Sequence, residues 1–592
     1  MTVAVLLGAA INISAAPGIR IDHLGPANTL VRVDGDDNPR YLLLPVQESN
    51  GDARISVLKD GNPDRTINVR LAKTKVDYYV PFDLTPYKGH VMAMNIVMPK
   101  SRESVRDARE DACWNNFQLA DTFDTTNREK YRPAYHHTPL YGWMNDPNGM
   151  FYKDGVWHLY YQCNPYGSKW QNMTWGHSTS TDLVHWEHHP LAIEPNGLGA
   201  VFSGSCAIDP TDPNKIWAMY TSADVSQIQN LAWSTDGGET FTIYGNNPVL
   251  TLDSEARDPN MFWDAENNRW VLTLAHALEH EMLIFTSPDL KQWSLQSSFG
   301  KGIGAQGGVW ECPDLFKLAT PEGTEKWVLL CNINPGGPFG GSATQYFIGD
   351  FDGKTFTADT DADGHVPTKW MDFGKDHYAT VSWSDAPVGR RTVIGWMSNW
   401  QYAAKVPTQQ YRSANTLPRD VSLFRSPDGQ LYLASAPSPE LTAMRDKAVK
   451  RSSFAVGSKP ASYSLPQICE ITMDIDAAKA KTVDMVFSNK TGEKVIITYN
   501  VGDHSLSFDR RQSGIVDFNQ DFASVTTSPT FENSGKVSLR IFIDRSSMEV
   551  FEKDGRFAMT NLVFPTQPYS QLTVSADGGR AKISNMTIYS IK

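Results

Sequence analysis

The sequence contains 592 residues, which is too many for a single hydrophobic core and indicates several domains. Hydrophobic residues make up 41% of the chain, so a disordered chain is excluded. The 66 acidic residues outnumber the 54 basic ones, which gives a net charge of −12, and lysines and arginines form no long run. Nucleic acids and anionic membrane surfaces are therefore excluded as expected partners.

Residues 1–18 are predicted to be a signal peptide. The segment is apolar from Val3 to Ala16 except at Asn12 and Ser14, and it ends in small residues that suit signal peptidase. Because no basic residue precedes the apolar run, a plain apolar terminus is the alternative. We expect a secreted or periplasmic protein. No later stretch is long and apolar enough to predict a membrane span.

Residues 19–98 contain short alternating apolar runs separated by turns, such as Tyr41 to Val46 and Val91 to Val97. This pattern predicts an N-terminal β-sandwich-like domain. Residues 99–134 are polar and highly charged, and they are predicted to be a linker with one helical turn.

The middle third contains an internal repeat. Runs of an aromatic followed by apolar residues recur every 53 to 66 residues, starting at Trp157, Trp217, Trp270, Trp327 and, without the tryptophan, Val393. An aspartate followed four or five residues later by an aromatic falls between them with a similar period. Two interleaved features with one period predict repeated four-stranded sheets, and therefore a five-bladed β-propeller over residues 135–440.

Residues 441–592 return to short strands with polar turns, which predicts a C-terminal β-sandwich. Helical periodicity is nearly absent from the whole chain, so the predicted fold class is all-β. The cysteines show no C-x-x-C pair and predict neither a zinc site nor a disulfide framework. The six are Cys113, Cys163, Cys206, Cys312, Cys331 and Cys469.

A polar residue precedes each repeated run by 11 to 17 residues: Asp146, Ser203, Asp258, Glu311 and Asp376. The innermost strands of a propeller line its central channel, so these side chains are predicted to face one axis. The alternative is that they terminate strands at the solvent. Converging carboxylates repel one another and separate their pKa values, as glycoside hydrolysis requires.

The motifs around these residues resemble those of glycoside hydrolase family 32, which comprises invertases, inulinases, levanases and fructosyltransferases. The resemblance covers residues 135–592 and implies a five-bladed catalytic propeller with a C-terminal β-sandwich. The N-terminal segment lies outside it. The matching motifs are Trp143-Met144-Asn145-Asp146-Pro147-Asn148-Gly149, Phe202-Ser203-Gly204-Ser205, Arg257-Asp258-Pro259, Trp310-Glu311-Cys312-Pro313-Asp314 and Lys375-Asp376-His377-Tyr378-Ala379.

The resemblance implies a role for each of three carboxylates. Asp146 matches the nucleophile that attacks the fructosyl anomeric carbon, and Glu311 matches the acid/base. Asp258 matches the carboxylate that stabilises the developing positive charge. The remaining matches are substrate-binding residues: Asn145, Gln162, Trp170, Phe202, Ser203, Arg257, Asp376 and Trp396.

No cofactor and no metal site is predicted. His188 and His189 are neighbours on a predicted strand, where they would face opposite sides, so they do not form a ligand pair. The acidic segment Asp359 to Asp363 begins like a calcium loop, but Trp370 occupies the position where a bidentate glutamate is expected. We interpret that segment as a surface turn.

The leading hypothesis is a retaining, exo-acting fructan β-fructosidase that releases terminal fructose from levan or inulin and also cleaves sucrose. It most resembles bacterial members of the family. The alternatives are a fructosyltransferase or an endo-fructanase of the same family, or a carbohydrate-binding protein without activity. Retention of Asp146, Asp258 and Glu311 together argues against the last alternative. The sequence is compatible with either a monomer or a homo-oligomer.

Overall fold

The computed structural model describes residues 18–33, 39–99, 107–126, 129–252, 255–532 and 534–592. Regular structure in this part of the chain is almost entirely β-strand, so the all-β prediction is confirmed. The predicted signal segment, apart from Gly18, lies outside the described residues. None of the described helices has the length and apolar character needed to cross a membrane. These helices are short 3₁₀ turns at Thr85–Tyr87, Ala112–Asn115, Ala277–Glu279, Ala403–Lys405 and Pro439–Met444.

The N-terminal unit contains two sheets that enclose one apolar core. Their orders are β1-β2-β7-β4-β5 and β6-β3-β8, and all pairs are antiparallel. Alternate residues of β2 and β4 point into the core, as the alternating sequence requires. The strands are β1 Ile19–Gly25, β2 Asn28–Val33, β3 Tyr41–Val46, β4 Ala53–Lys59, β5 Asn62–Val69, β6 Tyr78–Asp83, β7 Met92–Val97 and β8 Gln118–Ala120.

Residues 107–120 differ from the prediction of a linker, because they pack onto the N-terminal unit. Strand β8 pairs with β3, and Cys113 and Trp114 are buried in the N-terminal core. The indole Nε1 of Trp114 donates a hydrogen bond of 2.6 Å to the carbonyl of Ala108. The sequence predicted a linker because the segment is rich in charged residues. The few apolar residues that attach it to the N-terminal core gave no recognisable pattern.

The middle region contains five consecutive sheets, here numbered sheets 1 to 5. Their orders are β12-β11-β10-β9-β29, β13-β14-β15-β16, β18-β19-β20-β21, β22-β23-β24-β25 and β27-β28-β30-β31, with β17 added on β15 and β26 on β24. The strands are β9 Gly142–Lys153, β10 Val156–Asn164, β11 Thr174–Ser180, β12 Glu187–Ile193, β13 Ala200–Ile208, β14 Ile216–Ala223, β15 Gln227–Ser234, β16 Thr242–Ile243, β17 Leu250–Thr251, β18 Ala256–Asp264, β19 Arg269–His276, β20 Glu281–Ser287, β21 Ser294–Phe299, β22 Val309–Ala319, β23 Glu325–Asn334, β24 Ala343–Phe351, β25 Phe356–Ala358, β26 Lys369–Trp370, β27 Tyr378–Ser382, β28 Thr392–Trp396, β29 Tyr411–Arg412, β30 Arg419–Arg425 and β31 Leu431–Pro437.

The first strands of the five sheets, in chain order, lie against one another in a closed ring. Strand β9 contacts β13, β13 contacts β18, β18 contacts β22, β22 contacts β27, and β27 contacts β9 again. Strand β29 pairs in parallel with β9 and so joins the end of the region to its beginning. The repeated apolar runs of the sequence form the second strand of each sheet. Side chains on five first strands therefore meet around one axis.

The C-terminal unit contains two sheets around a second large core. The orders are β32-β44-β35-β40-β41-β42, with β33 on β44, and β34-β43-β36-β37-β38-β39. The strands are β32 Arg445–Lys450, β33 Phe454–Val456, β34 Ala461–Ser464, β35 Cys469–Lys479, β36 Thr482–Ser488, β37 Lys494–Asn500, β38 Ser505–Gln512, β39 Val525–Pro529, β40 Lys536–Ile543, β41 Ser547–Glu552, β42 Ala558–Leu562, β43 Gln571–Asp577 and β44 Arg580–Ile591.

A buried charge network joins the C-terminal unit to the middle region. Arg419 lies 2.9 Å from Asp372 and 2.7 Å from Glu549. The ring of His136 bridges Glu549 (2.9 Å) and Asp544 (2.8 Å). Burial alone would lower the pKa of His136, but the hydrogen bonds with these two carboxylates raise it to about 9. Separating the units would leave buried charges unpaired, so the network holds them together.

Candidate active site

Backbone bulges position the candidate residues on the first strands. Asp258 on β18, Cys312 on β22 and Ala379 on β27 have left-handed φ angles of 62°, 45° and 52°. The strand register shifts at each of these positions. A bulge turns a side chain away from the regular alternation of a strand, and it is common next to active sites. In this way three sheets direct polar groups toward the same axis.

Asp146, Asp258 and Glu311 converge around Cys312. The Sγ atom of Cys312 lies 3.6 Å from Oδ2 of Asp146 and 3.5 Å from Oδ2 of Asp258. The backbone N–H of Cys312 donates to the same oxygen of Asp258 at 2.9 Å, and Glu311 directly precedes Cys312. The structure therefore brings the three predicted carboxylates together from sheets 1, 3 and 4.

Burial and the neighbouring charge change the protonation of Asp146 and Asp258. Burial and the negative charge of Glu311 raise the pKa of Asp146 to about 6, and the same two causes raise the pKa of Asp258. Burial and the neighbouring carboxylates also raise the pKa of the Cys312 thiol, which keeps it protonated. Cys312 is thus a hydrogen-bond donor rather than a thiolate nucleophile. The cluster retains a proton at a pH where ordinary carboxyl groups are ionised.

Glu311 is held by two donors from different sheets. Arg257 Nε donates to Oε1 of Glu311 at 3.0 Å, and the Tyr378 hydroxyl donates to Oε2. Arg257 also donates to Glu255 at 3.1 Å, which fixes the guanidinium orientation. Tyr378 is a site residue that the sequence analysis missed, although its motif had been singled out. Tyr378 lies two residues after Asp376, and its place in that motif is the feature of the sequence that could have identified it.

Asp146 is supported by its neighbours Asn145 and Ser203. Asn145 Nδ2 donates to Oδ1 of Asp146 at 3.1 Å, and the Ser203 hydroxyl donates to Oδ2 at 2.9 Å. Trp143 Nε1 donates to Oδ1 of Asn145 at 2.8 Å and so fixes the orientation of the amide. The hydrogen bonds from Asn145 and Ser203 both favour the ionised form of Asp146. With Ser203 on sheet 2, all five sheets contribute to the site.

Four further predicted binding residues lie on sheets 1, 2 and 5 or in the loop after β10: Gln162, Trp170, Phe202 and Trp396. Gln162 Nε2 and Trp396 Nε1 are buried donors that have no hydrogen-bond partner among the described residues. A buried donor without a partner is uncommon, and a ligand hydroxyl would satisfy it. Trp170 is 45% exposed, and its ring meets the ring of Phe202 edge to face at 6.0 Å. This pair offers apolar surface beside the polar cluster.

Asp376 does not lie in the cluster, in contrast to its predicted place among the substrate-binding residues. Its carboxylate is fully buried against the C-terminal unit and accepts hydrogen bonds from Tyr402 (2.5 Å), Arg510 (2.5 Å) and the backbone N–H of Leu562 (2.8 Å). Asp376 precedes β27 and faces outward from the axis. Tyr378, which begins β27, takes the axial position in sheet 5.

The axis is nearly closed beyond the cluster. A cavity of about 10 Å³ lies between Ser203, Asp258 and Cys312 and residues that follow the site residues along the first strands, including Asn148, Gly204, Asn260 and Val381. This volume corresponds to about one water molecule. A ligand that reaches the carboxylates therefore cannot continue along the axis.

Only one group in the described part of the chain has the spacing of a metal site. Ligand atoms of His177, His189 and Glu239 lie within 4.8 Å of one another on the outer strands of sheet 1 and a nearby turn. His189 already contacts Glu239 (3.1 Å) and Thr179 (2.7 Å). His188 contacts Ser178 instead, so the two adjacent histidines take different partners. The group arises from cross-strand pairing, which the sequence analysis did not consider.

Comparison with known proteins gives three family matches. The description "Glycosyl hydrolases family 32 N-terminal domain" matches residues 136–435, and "Glycosyl hydrolases family 32 C terminal" matches residues 440–590. A domain of unknown function matches residues 25–135.

Individual relatives agree with these matches. The levanase of Bacillus subtilis is 40% identical, covering 78% of this chain and 71% of that protein. The extracellular exo-inulinase of Aspergillus ficuum is 37% identical, covering 78% and 95%. The crystal structure of exo-inulinase from Aspergillus awamori has a TM-score of 0.73 at 35% identity, covering 79% of this chain and 99% of that chain. That of fructofuranosidase from Schwanniomyces occidentalis complexed with fructose has a TM-score of 0.72 at 32% identity, covering 79% and 99%. The chain belongs to glycoside hydrolase family 32.

Proposed function

We propose that this protein is an exo-acting β-fructofuranosidase that releases terminal fructose from levan or inulin and also hydrolyses sucrose. The observation that carries the proposal is the convergence of Asp146, Asp258 and Glu311 around Cys312. Relatives named levanase, exo-inulinase and invertase support the substrate class.

In the first step, Asp146 attacks the anomeric carbon of the terminal fructosyl unit while the bond from that carbon to the leaving oxygen breaks. Glu311 gives its proton to this oxygen, so the leaving sugar departs as an alcohol. Asp258 accepts hydrogen bonds from ring hydroxyls and stabilises the positive charge that develops on the ring. The product is a fructosyl ester of Asp146.

In the second step, Glu311 removes a proton from water, which attacks the same carbon and releases Asp146. Two displacements retain the anomeric configuration. Arg257 and Tyr378 hold the Glu311 carboxylate in place through both steps.

Relatives named exo-inulinase support attack at a chain end. The cavity beside the carboxylates has room for about one water molecule, so a sugar chain does not thread the axis and reaches Asp146 from the mouth. Gln162 and Trp396 supply free donors for the hydroxyls of that end unit. Without a bound sugar, the side-chain N–H groups of Gln162 and Trp396 have no hydrogen-bond partner among the described residues.

We further propose the architecture that places this pocket. The closed ring of first strands supports a five-bladed β-propeller over residues 135–440, followed by a β-sandwich over residues 441–592. The two packed sheets that begin at Ile19 support an N-terminal β-sandwich-like domain, which extends beyond residue 98 to include β8. Relatives described as extracellular support export.

The proposal is tested by following products from sucrose, inulin and levan over time, with E311Q as the inactive control. We expect free fructose as the first and dominant product from both polymers, while the chain length falls slowly. An early ladder of oligosaccharides would indicate an endo-fructanase, and products longer than the donor would indicate a transferase. Binding without any product would indicate a carbohydrate-binding protein. Each of these three results would overturn the proposal.

The pH dependence of activity tests the role of Asp146. Because only its ionised form can attack, we expect kcat/KM for sucrose to fall as the pH drops below about 6, the raised pKa of Asp146. Ser203→Ala removes a donor to the ionised form, so we expect this acid limb to move up by about one unit.

Ser205→Ala is the matched control for this measurement. Ser205 lies on the same strand, but its hydroxyl accepts from the backbone N–H of Met261 and does not contact Asp146. We expect its profile to overlay that of the unmodified enzyme. An acid limb at the same pH in both variants would contradict the assignment of that limb to Asp146.

A further inference from the structure

The loop of residues 164–172, here called the Trp170 loop, carries Trp170 to the mouth of the candidate active site. Its base is tied by Asn164, whose side chain donates to the carbonyl of Lys169 (2.7 Å) and accepts from Asn172 (3.0 Å). Trp170 is exposed, and its ring contacts Phe202, the residue before Ser203. The position of this loop therefore determines where an aromatic surface meets the substrate.

The N-terminal unit holds the Trp170 loop after Trp170. The side chain of Asn172 exchanges two hydrogen bonds with the backbone of Asn68, which donates at 2.9 Å and accepts at 2.8 Å. Gln171 donates to Asp52 at 2.9 Å. These contacts reach the two residues that directly follow Trp170.

Glu48 of the N-terminal unit holds the other side of the loop. Its Oε2 accepts from the hydroxyls of Ser168 (3.0 Å) and Tyr78 (2.8 Å). Its Oε1 accepts from Arg412 at 3.1 Å, and Arg412 also donates to the carbonyl of Ser168 at 2.9 Å. One carboxylate thus links the N-terminal unit, the Trp170 loop and strand β29, which pairs with the strand of Asp146.

We propose that the N-terminal unit is a positioning module of the active site, and that Glu48 is its central positioning residue. It fixes Trp170 against Phe202 before substrate arrives, so binding does not have to order the loop. The inference deepens the proposed function and rests on it for its kinetic part. It assigns a task to the segment that matches a domain of unknown function.

The test compares Glu48→Gln with Asp22→Asn. Asp22 is a matched control because it is another carboxylate of the N-terminal unit that is paired with an arginine (Arg32, 2.7 Å), but its contacts with described residues lie within that unit. We expect E48Q to lower kcat/KM for sucrose and levan about tenfold, since small displacements of a binding group have effects of this order. We expect D22N to leave kcat/KM unchanged. Equal losses in both variants would mean that Glu48 acts only through stability and would overturn the proposal.

Two further readouts separate positioning from general structure. Amide hydrogen exchange of residues 164–172 is expected to speed up in E48Q and not in D22N. In a Trp170→Ala background, E48Q is expected to cause no further loss of kcat/KM, because the side chain that it positions is absent. Additive losses, or unchanged exchange, would overturn the proposal. Hydrogen exchange does not depend on turnover, so an enzyme without fructosidase activity would refute the proposed function and leave this test valid.

Discussion

Replacing Asp146, Asp258 or Glu311 by its amide is expected to reduce kcat for sucrose by about 10²- to 10⁴-fold or more, while the protein remains folded. Each amide keeps the shape of the side chain and removes the charge or the proton that the reaction uses. We expect the losses to be strongly non-additive, because the three groups contribute to the same steps. The measurement is kcat of each single and double variant, with thermal unfolding to confirm folding.

Asp314→Asn is the matched control for these variants. Asp314 is a buried carboxylate on the same strand as Glu311, and burial raises its pKa too. Its Oδ2 accepts from the backbone N–H of Ser382 at 2.6 Å rather than facing the cluster. We expect D314N to keep far more activity than E311Q. Near-native kcat in D146N, D258N or E311Q would refute the catalytic assignment.

Asp376→Asn is expected to destabilise the protein by about 3–5 kcal/mol, because it leaves the fully buried Arg510 without a charged partner. The double variant Asp376→Asn with Arg510→Met removes both charges, so we expect it to recover part of this loss. Denaturant unfolding measures both effects. The expected result distinguishes a structural role for Asp376 from the predicted contact with sugar.

Glu322 and Arg425 provide an exposed control pair. Arg425 also pairs with a carboxylate, through contacts of 2.7 and 2.9 Å, but both side chains are exposed to solvent. We expect Glu322→Gln to change the unfolding transition little. If D376N instead raised KM selectively and left the unfolding transition unchanged, the predicted sugar contact would be correct and the structural role wrong.

The sequence predicted the three carboxylates because each stands at a similar distance before a repeated apolar run. A proline stands directly after Asp146 and after Asp258, and two residues after Glu311. Proline inside a strand indicates that the strand is interrupted at that point. The repeat therefore identified the strands on which the structure brings the three carboxylates together, and the residue types narrowed the choice of residue within each strand. The resemblance supplied their order and their roles.

Tyr378, the residue that faces the axis on the first strand of sheet 5, could not be predicted by counting positions back from the apolar run. A bulge inserts an extra residue into a strand, so a fixed number of positions before the apolar run does not identify the side chain that faces the axis. Asp376 was chosen because it is a carboxylate, whereas Tyr378 occupies the site. Arg510, the partner of Asp376, lies 134 positions away in the sequence, so the pairing leaves no local pattern.

The contacts between the N-terminal unit and the middle region could not be predicted from the sequence either. Glu48 lies among ordinary polar residues of a turn, and its partners Ser168 and Arg412 are far apart in the chain. The alternating pattern predicted the strands of this unit but gave no information on which surface meets the middle region. Only the structure relates residues 25–135 to the candidate active site.

The central claim is that Asp146 forms a covalent fructosyl intermediate. The most direct measurement uses the Glu311→Gln variant with β-fructosyl fluoride, whose leaving group needs no proton, so that the intermediate forms without an acid and accumulates without a base. We expect mass spectrometry after a denaturing quench to find one fructosyl unit on the peptide that contains Asp146, and none in the Asp146→Ala variant. Consumption of the fluoride without an adduct, or an adduct on another peptide, would contradict the account.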